Sequence, residues 1–91
     1  MDVIVKNLPG TANEHPRGYD SWIAYWEDKT GLKATVCYCI GCNKPAVVGA
    51  HVQKVYGSDT NTYIIPLCHE CNMKTDQFKT SDSELVRVPE N

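Results

Sequence analysis

The residues in this 91-residue chain best equipped for chemistry are its cysteines, four of which fall as Cys39-Ile40-Gly41-Cys42 and Cys68-His69-Glu70-Cys71. The pattern is C-x2-C-x25-C-x2-C. Thiolates are the soft ligands that tetrahedral Zn2+ prefers, and each C-x-x-C pair delivers two of them from one turn. The spacing predicts a zinc site made by Cys39, Cys42, Cys68 and Cys71. A shell closed by four thiolates has no position for water or substrate, so this ion is structural and supplies folding free energy on the order of 10 kcal/mol. Three readings compete: an iron site with the same ligands, a redox-active C-x-x-C, and Cys37 in place of Cys39. The redox reading is weakened because neither pair sits in a βαβ context.

Two further side chains bear on catalysis. His51 follows Gly49 and Ala50, whose small side chains leave it little shielded on that side, and an imidazole beside a metal-bearing helix is suited to taking a proton from water. Residue type alone favours a buried hydrogen-bonded histidine or a surface one. Asn72, directly after Cys71, is by default a capping or solvated residue. His69, held between two knuckle cysteines, reads as a surface residue, and His15 carries no signal.

The elements that must position these groups are legible in outline. Residues 1–18 hold Pro9, Gly10, Pro16 and Gly18 behind a β-prone Val3-Ile4-Val5, and read as an extended N-terminal arm. Residues 19–91 read as one zinc-stapled domain. Asp20 or Ser21 can cap a helix whose apolar face is Trp22, Ile23, Tyr25 and Trp26, and Lys29-Thr30-Gly31 supplies its stop. That face is expected to enlarge the core rather than to stack on bases. Ala34 to Cys37 leads into the first knuckle, where Gly41 and Asn43 permit a tight turn. The runs 46–52 and 62–66 form a hairpin with a longish loop, and 69–78 suits a short helix. The fold class is therefore a small α+β zinc-binding domain: a treble clef of zinc knuckle, β-hairpin and short helix, with an added N-terminal helix. Leu85 to Pro89 is expected to form a short edge strand or an ordered arm.

The order C-x-x-C, Ala50-His51-Val52, then Leu67-Cys68-x-x-Cys71-Asn72 resembles the HNH (His-Me finger, ββα-metal) nucleases with a zinc-stapled treble clef, over about residues 37–78. The resemblance implies that His51 is the general base that activates water. It makes Asn72 the ligand of a catalytic Mg2+ or another divalent ion at the scissile phosphate. Departures accompany it. Ala50 stands where many members carry Asp or His as a second ligand. Tyr63 occupies the usual slot of the middle asparagine, and Asn61 lies two positions too early unless the loop shifts register. Asp59 could offer an oxygen, and Lys54, Lys74 and Lys79 could touch phosphates, though solvated side chains are the plainer reading of all four.

Composition bounds these readings. Ninety-one residues make one domain with a small core, which a metal staple would secure. The first ten residues show no secretion signal, and five cysteines fit four ligands plus one better than a closed disulfide framework, so a reducing compartment and a soluble, cytoplasmic protein are expected. No run approaches a membrane span. The formal charge is −2, and four thiolates with a divalent ion would bring it to −4. That balance is poor for a phosphate-backbone binder. Residues 31–80, with five lysines against Asp59, Glu70 and Asp76, are locally basic before the thiolates are counted. Two functions follow. One is a divalent-metal-dependent endonuclease acting on DNA or RNA. The other is a catalytically inactive zinc module mediating protein or nucleic-acid interaction. Oligomeric state cannot be read from the sequence.

Overall fold

A computed structural model of the chain describes residues 1–8 and 16–88. In chain order the elements are β1 (Asp2–Asn7), α1 (Trp22–Thr30), β2 (Val48–Lys54), β3 (Thr62–Leu67), α2 (His69–Asn72), β4 (Phe78–Ser81), a 3-10 turn (Asp82–Glu84) and β5 (Val86–Arg87). The five strands form one antiparallel sheet in the order β4-β1-β2-β3-β5.

The β-branched run Val3-Ile4-Val5 is thus an inner strand, paired with β4 on one side and β2 on the other. The expected N-terminal arm is corrected at this point: residues 2–7 belong to the sheet, and the part of that arm at 9–15 lies outside the described residues. A second correction concerns the helix expected over 69–78. It stops after Asn72, and Phe78–Ser81 forms β4 instead. There Phe78 and Thr80 turn inward while Lys79 stays exposed, the period-two pattern of a strand. The hairpin is present as β2 and β3, in register from Val48 opposite Leu67 to Gln53 opposite Thr62. The tail supplies the edge strand β5 beside β3.

Strand alternation divides the core in two. Val48, Ala50 and Val52 of β2, Ile65 and Leu67 of β3, Val3 and Val5 of β1 and Phe78 of β4 pack in one cluster with the cysteines. On the other face Ile64 packs with Tyr25, Trp26, Trp22 and Val86. Helix α1 lies on that second face. Ser21 caps it, its hydroxyl accepting from the Ala24 N–H at 3.1 Å, and Gly31 ends it in the left-handed conformation with φ 74°. The aromatic face of the helix is consumed by packing. Trp26 is fully buried, its indole N–H donates to the Glu84 carbonyl at 2.7 Å, and the Tyr25 hydroxyl donates to the Arg87 carbonyl at 3.0 Å. These two bonds tie α1 to the chain that leads into β5 and through it.

The helix approaches the sheet closely only because position 49 has no side chain. A Cβ there would lie 2.7 Å from both the carbonyl carbon and the Cβ of Trp22. Gly49→Ala must therefore lift the start of α1 off β2, an overpacking strain of about 1–3 kcal/mol. Urea unfolding should show that loss as a lower midpoint with an unchanged slope, accompanied by weaker near-ultraviolet dichroism from the tryptophans.

Candidate metal centre

The first knuckle is built before any ion is considered. Val36 pairs with Pro45 in an isolated bridge, the Cys37 N–H donates to the Lys44 carbonyl at 2.9 Å, and the Cys42 N–H returns to the Cys39 carbonyl at 2.9 Å. Gly41, with φ 87°, occupies the left-handed position that this turn demands. The segment also bridges two strands that are not neighbours. The Tyr38 N–H donates to Pro66 of β3 and the Ile40 N–H to Lys79 of β4, each at 2.9 Å. The Thr80 hydroxyl donates to the Tyr38 carbonyl at 2.7 Å. The sheet therefore curls, and the knuckle spans its gap. On this extended segment Tyr38 turns toward α1, its ring 5.2 Å from that of Trp26. Cys37 and Cys39, on either side of it, both turn into the thiol-lined core.

The second pair comes from the β3–α2 junction. Cys68 caps α2, its sulfur accepting from the Cys71 N–H at 3.4 Å. Asn7 of β1 holds the far end of this turn, its amide donating to the carbonyls of Cys71 at 2.9 Å and Lys74 at 3.0 Å.

The sulfurs of Cys37, Cys42, Cys68 and Cys71 all lie within 4.8 Å of one another. Cys42 Sγ and Cys68 Sγ, from the two different knuckles, are 3.8 Å apart. A tetrahedral zinc with Zn–S bonds of about 2.3 Å has ligand sulfurs about 3.8 Å apart, so this donor set fits such an ion. The thiols are free rather than bridged to one another. The set differs from the expected one at one position, with Cys37 standing where the motif pointed to Cys39. Cys39 is equally buried and remains close by, its sulfur 3.9 Å from Lys74 Nζ. With Cys42, Cys68 and Cys71 it lines a cavity of about 400 Å3, which Lys44, Glu70 and Lys74 also border. The sequence signal for Cys37 was its spacing of two from Cys39, which places both on one side of an extended strand.

The electrostatics suit ligation. The backbone N–H of Cys71 is the main influence holding the Cys68 thiol down at about 7. Burial pushes the thiols of Cys37 and Cys71 up. Lys44, ion-paired with Glu70 on the rim, faces Cys42 and Cys68 and adds positive charge beside them.

The residues named for catalysis are not brought together. His51 is 7% exposed and packs edge-to-face on Trp22, with ring centroids 4.7 Å apart. It therefore lies on the α1 face, as its strand neighbour Gly49 does. The space beside the small Gly49, read as access to His51, is filled by Trp22. Asn72 belongs to α2, which Asn7 anchors on the thiol face; Asn7 sits directly opposite Val52, a member of the thiol cluster. The sheet thus separates His51 from the helix that carries Asn72. Asn61 precedes β3, at the end opposite Cys68. Asp59 orders that loop by accepting from the Asn61 N–H at 2.9 Å and from the Tyr63 hydroxyl, and it also pairs with Lys54.

No protein-family model, no curated protein and no solved structure matches the chain. The centre must be understood from its own geometry. No helix among the described residues is long and apolar enough to cross a membrane.

Ligation requires thiolates, so a thiol held above its ordinary range must surrender a proton when a metal binds. Cys71 and Cys37 are in that state, while Cys68 is half ionised at about 7. Raising the pH lowers this cost and lowering it adds to it. The apparent zinc affinity should climb steadily from pH 7 through pH 9, with more than one proton released per ion, as read by competition with a chromophoric chelator. An affinity flat across that window would show that thiols are not the ligands.

Proposed function

We propose that this chain is a structural zinc module of the treble-clef kind, with the knuckle at 36–45, the β2–β3 hairpin and the single turn α2 as its three parts, acting as an interaction domain rather than as a nuclease. The observation that carries the reading is the 3.8 Å separation of Cys42 Sγ and Cys68 Sγ inside a cluster of four buried or half-buried thiols, the edge length of a zinc tetrathiolate. The ion would be held by four sulfurs and would supply cross-linking of the two knuckles. Cys68 would contribute its sulfur from the cap of α2, and Asn7 and Lys44 would keep the surrounding segments in place.

Hydrolysis has less support. A general base and a metal-bound phosphate must meet within hydrogen-bond reach or through one water, and His51 packs on Trp22 across the sheet from α2. Binding has more. Ile40 on the knuckle and Met73 just after α2 are exposed apolar residues, at 51% and 65%, and Ile40 lines the cavity together with Lys74. Exposed apolar side chains with a charged one at their edge, held on a cross-linked frame, match the apolar core and polar rim of a partner surface.

Two measurements test this function together. Chelation of the zinc-loaded protein should abolish the cooperative thermal transition, because the core alone leaves little margin. His51→Ala should lower stability by about 1–2 kcal/mol through loss of the Trp22 contact, while neither it nor the parent protein cleaves DNA or RNA in Mg2+ or Mn2+. Metal-activated cleavage by the parent that His51→Ala removes would replace this function with the nuclease.

A further inference from the structure

Five thiols surround a centre that one tetrahedral ion fills with four. One ligand set is complete as it stands, and Cys39, buried beside it, offers a second that would share three of its members. Cys37, Cys42, Cys68 and Cys71 have their sulfurs within 4.8 Å of one another. Cys39, Cys42, Cys68 and Cys71 together line the cavity beside α2. The two sets differ only in which end of the tripeptide Cys37-Tyr38-Cys39 contributes. Tyr38 is held toward α1 by its ring on Trp26 and by its backbone bonds to Pro66 and Thr80. Both flanking cysteines therefore face the same interior, at 4% and 6% exposure.

We propose that Cys37 and Cys39 are interchangeable fourth ligands of one soft divalent ion, with Cys42, Cys68 and Cys71 fixed. This deepens the zinc reading and rests on it. The two sulfurs leave the same segment on the same side, about 6.5 Å apart along the chain, so the exchange is a swing of the two side chains about a segment that Tyr38 holds to β3 and β4. Whichever thiolate is displaced keeps company. Cys39 has the Lys74 ammonium 3.9 Å from its sulfur, and Cys37 is buried, its backbone N–H bonded to the Lys44 carbonyl across the knuckle. One unligated thiol thus always stands beside a complete shell.

The test uses the full chain loaded with zinc, and with Co2+ as the spectroscopic probe. Cys37→Ala and Cys39→Ala should each retain one ion per chain and a four-thiolate cobalt spectrum. The double variant should lose affinity by more than the roughly 100-fold that marks loss of an outer-shell partner. If only one single variant retains the ion, or if the double variant retains it, the interchange is overturned. Substitution could impair folding, so a second measurement leaves the chain unaltered. In the zinc-loaded protein, cysteine Cβ chemical shifts should take the ligated value for Cys42, Cys68 and Cys71. Those of Cys37 and Cys39 should fall between ligated and free values or split into two sets. One of the pair fully ligated and the other fully free would overturn the interchange while leaving the zinc module intact. A parent chain that takes up no ion would instead overturn the metal reading, and the interchange with it.

Discussion

Sulfhydryl groups make poor partners for one another, so a cluster of them within 4.8 Å has little cohesion of its own. Each S–H is a weak donor and each sulfur a weak acceptor, and burial penalises any that ionise, as the raised thiols of Cys37 and Cys71 record. A cation changes the sign of this interaction. Four mutually repelling thiolates become four bonds to one centre, and the energy involved is comparable to the whole stability of a small domain. The rest of the architecture follows from that constraint. The knuckle at 36–45 bonds to Pro66 of β3 and to Lys79 of β4, strands that stand apart in the sheet order, so closing the thiol centre also closes the curl of the sheet.

The same constraint explains why α2 can be so short. A four-residue helix has almost no intrinsic stability in water, since nucleation consumes what its few hydrogen bonds return. Here its first residue is preceded by Cys68, whose sulfur caps the turn, and Cys71 points back into the cluster. Asn7 then fastens the turn's exit to β1. The helix is held by side chains at both ends rather than by its own length.

Local signals in the sequence located what local physics decides. Ser21 and Gly31 mark the ends of α1 because capping and the left-handed conformation are properties of those residues themselves. The β2–β3 hairpin was legible for the same reason. What escaped was set by partners distant in sequence. Val3-Ile4-Val5 declared itself β-prone, but its place inside the sheet depends on β4, more than seventy residues away, and no local pattern carries that. The C-x-x-C motif located the thiol cluster but pointed to Cys39 where Cys37 completes the set, because membership turns on which sulfur of a C-x-C reaches furthest inward, and spacing alone does not decide that. His51 misled in the opposite way. The small Gly49 suggested room beside the imidazole, whereas glycine was required there to admit Trp22. A small residue marks close approach by something, and the sequence did not say by what.

Strand β2 shows how so short a chain supports two cores without conflict. Its successive side chains serve opposite partners: Ala50 and Val52 floor the thiol cluster, and Gly49 and His51 receive α1. A pleated strand offers these two faces at no extra length, but it also couples them. Any shift of β2 that eases the packing of Trp22 displaces Ala50 beneath the sulfurs, and any spreading of the sulfurs is felt under α1. The backbone bonds between β2 and β3, in register over six residue pairs, make that coupling stiff. The aromatic helix and the thiol cluster are therefore two supports of one cooperative unit. The helix lies outside the segment that carries the cysteine pattern, yet it is as much a part of the thiol cluster's frame as the knuckles are.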